Sequence, residues 1–154
     1  MKTTSKGRKL ALTVQLVAGV LLLLGGIAIY LLFRSQTIVL YQWCIYLGLG
    51  DFLSSLRQQV QSWNIPDFVR YSLPDGMYCA SYILLMDALW RNSGRVMRLC
   101  FTLLIPVCAI LHELLQAASL VRGTFDVADL LCYATPLLVY LLIIHKKASP
   151  PAEA

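Results

Sequence analysis

Four long apolar runs, separated by short polar breaks, organise the chain. They lie at about 10–33, 72–90, 99–119 and 126–144. A helix that crosses a bilayer needs about 20 mainly apolar residues, because each residue rises 1.5 Å through a core about 30 Å thick. Three of the runs meet that length directly. The second, "GMYCASYILLMDALW", is short, and it reaches span length only if "SLPD" forms its first turn. There Ser72 is expected to cap the helix, with Pro74 in the first turn and Asp75 reaching back as in a capping box. The first run follows a basic start, "MKTTSKGRK", as a signal peptide does. It is too long for an h-region and shows no small-residue cleavage site, so an uncleaved span is expected.

Residues 37–63 are harder to place. "TIVLYQWCIYLGLGDFLSSLRQQVQSWNIPDF" starts apolar and aromatic and turns polar after Asp51. A fifth span over 37–53 would invert everything downstream. The pattern instead suggests an interfacial or re-entrant helix with Tyr41, Trp43, Tyr46 and Trp63 at headgroup level, where amphipathic rings are favoured. Packing against the other helices would account equally for any one of these rings. The fold class expected is all-α: a four-transmembrane-helix bundle with one additional interfacial or re-entrant helix between the first and second spans. A single membrane domain covers 1–147, and 148–154 is expected to be a disordered tail.

Composition narrows the class further. With 58% hydrophobic and 14% charged residues the chain falls outside the soluble globular range. Its net charge of +5 does not point to nucleic acid, because the basic residues flank the apolar runs. Lys2, Lys6, Arg8 and Lys9 precede the first run, Arg91, Arg95 and Arg98 divide the second from the third, and Lys146 and Lys147 follow the fourth. Four spans put these nine of the thirteen basic residues on one side, with Arg34, Arg57, Arg70 and Arg122 on the other. Positive loops stay in the cytoplasm, so both termini are expected there. Cys44, Cys79, Cys100, Cys108 and Cys132 are scattered singly without CxxC spacing, which indicates neither a zinc site nor a disulfide framework. No cofactor is expected.

The candidate chemistry gathers at the opposite end. Asp75 opens the second span, Glu113 and Gln116 occupy the outer part of the third, and Asp126, Asp129 and Tyr133 lie at the start of the fourth. Glu113 and Gln116 are three apart and share a helix face, as do Asp126, Asp129 and Tyr133. The short connection through Arg122 and Gly123 makes the two helices antiparallel neighbours, so these faces can oppose each other across an outward-opening pocket. Simpler readings exist for each residue. Asp126 suits an N-cap and Asp129 a first turn, Arg122 suits a snorkelling anchor, and Asp87 with Arg91 suits an i to i+4 pair. His112 points about 100° away from Glu113 round the helix and reads as a packing residue. Glu113 fits a simple account least, because a carboxyl group inside a span costs several kcal/mol and is usually paired or functional. Arg122 is its expected partner.

Over residues 70–145 the pattern Glu113, Gln116, Arg122, Asp126, Asp129 resembles the second half of the VanZ-like integral membrane proteins. Their signature is an acidic residue and a glutamine near the end of one span, an arginine turn, and an aspartate opening the next. The chain departs from it in two places. Tyr133 and Pro136 stand where the family commonly has an asparagine and a glycine, and "PDGMY" keeps Asp75 while losing the lysine and histidine of an Asp-Lys-x-x-His element. The resemblance implies an envelope-facing role in a bacterial cytoplasmic membrane, in a family whose named member is associated with resistance to glycopeptide antibiotics.

Three function classes follow. The first is a non-catalytic membrane protein whose pocket binds a lipid or lipid-linked envelope precursor through Asp75, Glu113, Gln116, Arg122, Asp126, Asp129 and Tyr133. The second is a membrane enzyme that uses Glu113 with Asp126 or Asp129 as acid and base, or as ligands of a divalent cation. The third is a scaffold subunit whose polar cluster locks helix packing. The first is expected, with self-association or a membrane-protein partner open.

Overall fold

A computed structural model describes residues 5–148; of the tail expected over 148–154, Ala148 ends the last helix and the rest lies outside the described residues. The described residues are all-helical: α1 (Ser5–Phe33), α2 (Val39–Tyr46), α3 (Gly50–Val60), α4 (Asp67–Tyr71), α5 (Leu73–Leu89), α6 (Arg95–Ala117) and α7 (Val127–Ala148). Three of these, α1, α6 and α7, are long and apolar enough to cross a membrane. Most of their large apolar side chains, such as Leu21, Leu24, Leu138 and Leu142, face outward rather than into the protein. In water such a surface would be an aggregation patch, whereas acyl chains cover it without cost.

The shorter α5 lies at the centre and packs against α1, α6 and α7. Its neighbours fix the directions. Gln15 of α1 bonds Leu84 and Asp87, Ser81 bonds the Gly19 carbonyl, and Gly26 lies against Pro74, so α1 and α5 are antiparallel. Gly76 meets Cys132 and Asp87 meets Tyr140, so α5 and α7 are parallel. Tyr82 bonds the Phe101 carbonyl and Asp87 accepts from Arg98, so α6 is antiparallel to α5. Small residues make these approaches close. A Cβ on Gly76 would lie 3.1 Å from the Cys132 Cβ, and one on Gly26 3.3 Å from the Pro74 carbonyl oxygen.

The start of α5 departs from expectation. Ser72 has helical φ and ψ of −97° and −36° and makes no side-chain capping bond, so the capping box with Asp75 does not form. A capping serine needs extended backbone, but α4 ends only one residue earlier and leaves Ser72 inside a nearly continuous helical path. The proline does lie in the first turn.

Residues 37–63 form two short helices, α2 of 8 residues and α3 of 11, roughly 12 and 17 Å long. Neither has the length of a span. Gly48, at φ 78°, ends α2 in the left-handed conformation, with its own N–H on the Ile45 carbonyl and that of Leu49 on Cys44. Trp43 is 61% and Tyr46 86% exposed, which fits rings held at an interface; Tyr41 is buried instead, under the Arg57 guanidinium. Arg57 also donates to the carbonyls of Leu31 and Arg34 at 2.6 and 2.7 Å. A cation thereby satisfies the last carbonyls of α1 and complements the negative end of its dipole.

Candidate functional site

Asp75, Glu113, Asp129 and Tyr133 come together where α5 begins, α6 ends and α7 begins. The Tyr133 hydroxyl interacts with the Asp75 carboxyl, and Asp129 and Glu113 lie within electrostatic reach of both groups. Tight α5–α7 packing at Gly76 creates the cluster, because it holds Asp75 beside the first turns of α7.

Glu113 is 6% exposed. One of its carboxylate oxygens accepts the Asp126 backbone N–H at 3.4 Å, at the positive end of the α7 dipole. Asp126 is the N-cap itself: its Oδ1 accepts the Ala128 N–H at 2.8 Å. Both acids therefore help to start α7. Asp129 differs from them, since its Oδ1 is buried and has no hydrogen-bond partner. A buried acceptor left unbonded costs about 1–3 kcal/mol, and a donor arriving there would recover that energy.

Gln116 and Arg122 lie at the margin. The Gln116 amide contacts His112 Nδ1 at 3.3 Å and the Arg122 carbonyl at 3.5 Å, so its partners are local. That reach is possible because Gly123 has φ 137° and no Cβ; a Cβ there would overlap the Gln116 amide. The turn opens with Ser119 in the left-handed conformation (φ 57°), with Leu120 bonded back to the Leu115 carbonyl. This is the same helix ending that Gly48 gives α2, formed here by a residue with a Cβ. The Arg122 side chain is exposed on this turn and forms no ion pair with Glu113, against expectation. The cation nearest the cluster is Arg34, which interacts with Asp75, donates to the Tyr71 carbonyl at 3.1 Å and lies over the rings of Tyr30 and Tyr71. Its position at the end of α1, level with the start of α5, was the available signal in the sequence.

Below the polar groups lies a cavity of about 460 Å³, with Asp75 and Tyr133 at one end and Leu23, Tyr82, Leu85 and Ile105 along its walls. Acidic groups thus stand above an apolar chamber. Among the described residues, no three His, Cys, Asp or Glu side chains are arranged to hold a metal ion.

At the other end of α5 a second polar cluster forms that the sequence reading missed. Asp87, 5% exposed, accepts from the Gln15 amide at 2.9 Å, from Arg98 Nε and Nη2 at 2.7 and 2.5 Å, and from the Tyr140 hydroxyl at 2.6 Å. One carboxylate therefore ties α1, α5, α6 and α7 together. The expected Asp87–Arg91 pair does not form, because Arg91 bonds Gln15 instead. No family model, curated protein or solved structure matches the chain.

Proposed function

We propose that this is a non-catalytic, VanZ-like membrane protein that binds a lipid or lipid-linked envelope component at the end where Asp75, Glu113 and Asp129 meet. The observation that carries the reading is the buried, unbonded Asp129 Oδ1 beside Asp75 and Tyr133, above an apolar cavity. A headgroup hydroxyl or amine would donate to Asp129 and Asp75, while the attached chain would occupy the cavity. With four carboxyl groups here and the Arg122 side chain on the turn, the site suits donor groups better than phosphate.

The discriminating features favour binding over the two alternatives. A scaffold cluster would be closed with every group paired, and Asp129 is not. An acid–base reading pairs Glu113 with Asp126, but Glu113 accepts the Asp126 backbone N–H and the Asp126 carboxylate is engaged in capping α7.

The proposed topology has four crossings, α5 included, with α2 and α3 at the outer surface of a bacterial inner membrane and both termini in the cytoplasm. Alternating directions of α1, α5, α6 and α7 support it, as does the basic loop between α5 and α6. A cysteine introduced at Ser93 should be labelled only after the membrane is permeabilised; labelling from outside in intact cells would overturn the topology.

Native mass spectrometry of the gently extracted protein tests the binding. A lipid retained by wild type and lost in Asp75→Asn and Asp129→Asn supports the reading. Wild type that carries nothing beyond bulk lipid, or variants that retain the same ligand, would contradict it.

A further inference from the structure

A larger recess lies at the opposite end of the molecule. It measures about 960 Å³, near the top of the range of about 300–1,000 Å³ typical of ligand sites. It arises because α1 and α7 pack on different parts of α5 without closing on each other at this end. Its walls are apolar side chains of all four long helices, including Leu10 and Val14 from α1 and Ile143 and Ile144 from α7.

Beside the Asp87 cluster, polar groups line the recess around the start of α6. Arg95 is exposed and has no ion-pair partner among the described residues. Arg98 gives Nε and Nη2 to Asp87 and leaves Nη1 without a partner among the described residues. Ser93 adds a hydroxyl, and the first N–H groups of α6 have no side-chain cap. Asp87 is the one acid in the lining, and Gln15, Arg98 and Tyr140 occupy it already. The recess therefore combines an apolar trough with a net positive mouth, a combination that suits an amphiphile with a negative head.

We propose that this recess holds an anionic phospholipid from the adjacent leaflet, with its phosphate on Arg95 and Arg98 Nη1 and one acyl chain between α1 and α7. The site is distinct from the carboxylate cluster, and its chemistry is the reverse: cationic where the other is acidic. It rests on the membrane reading of α1, α6 and α7, not on the proposed ligand of Asp129.

The test uses the full chain in bilayer discs of mixed phosphatidylcholine and phosphatidylglycerol, released into mild detergent for native mass spectrometry. Wild type should retain phosphatidylglycerol in excess over its share of the disc. Arg95→Gln should lower that preference about fivefold, as expected for one basic residue at a membrane surface. Val14→Trp, which fills the trough from a position that is not itself part of the Asp87 network, should lower the amount retained. Val139→Trp, outside the recess, should change neither. Equal retention of the two lipids by wild type would overturn the proposal, as would a preference unchanged in both recess variants. A crosslink from position 14 to a second copy of the chain in place of lipid would also overturn it.

Discussion

Each end of α5 carries one aspartate, and the fold treats the two in opposite ways. Asp87 receives donors from three other helices, so its burial is matched bond for bond. Asp75 stands among other carboxyl groups, and one of these, Asp129, keeps a buried oxygen with no donor at all. A saturated carboxylate has no acceptor left for a ligand and joins helices. An unsaturated one keeps its hydrogen-bonding capacity for something that arrives later. Intramembrane carboxylates are commonly called functional as a class, yet here their partners separate a structural clasp from a candidate binding site.

That contrast is open to attack through stability. The largest effect is expected from Asp87→Ala, which leaves the Arg98 guanidinium without its partner and should cost about 3 kcal/mol, read from chemical unfolding in detergent micelles. Loss below about 1 kcal/mol would mean that Asp87 is not the clasp. Tyr140→Phe removes a single donor and keeps the ring, so about 1 kcal/mol should be lost in the same assay. The smallest effect should be a gain: Ser119→Gly relieves a left-handed backbone at the turn beside the Asp75–Asp129 cluster and should stabilise by about 0.5 kcal/mol. A loss there would show that the Ser119 side chain contributes something the backbone geometry does not reveal.

Much of the scaffold was legible in the sequence. The apolar runs at 10–33, 99–119 and 126–144 became α1, α6 and α7, each shifted by a few residues at its ends. Span-length hydrophobicity is a local property, so it survives in a single sequence. The helix α5 was weaker in the pattern for a physical reason: as the central element it has neighbours on several sides, and those neighbours can satisfy polar residues that a lipid-facing helix could not carry. That Glu113 lies beside the start of α7 was also readable, because it follows from a short turn; that Asp75 meets Asp129 and Tyr133 depends on α5–α7 packing at Gly76, which no spacing reveals.

What the sequence concealed depends on distant pairing. The partners of Asp87 lie 72, 11 and 53 residues away, and no periodicity links them. Asp87–Arg91 was the local solution; helix packing supplied a better one. Similarly, Arg122 is near Glu113 in sequence but is carried outward by the turn, while Arg34, far away in sequence, arrives beside Asp75 because α1 ends at the same level. A lone glutamine in a long apolar run, Gln15, was the clue to the Asp87 cluster, since a buried amide needs a partner on another helix.

The most direct measurement is a matched pair of thermal unfolding curves in one detergent, for Asp87→Asn and Asp129→Asn, each against wild type. Both substitutions remove one charge and keep nearly the same shape. A clear loss is expected for Asp87→Asn, on the order of 1–2 kcal/mol or roughly 3–8 °C, and no loss or a slight gain for Asp129→Asn. Equal destabilisation by both would contradict that difference, because Asp129 would then be a second clasp rather than an open acceptor.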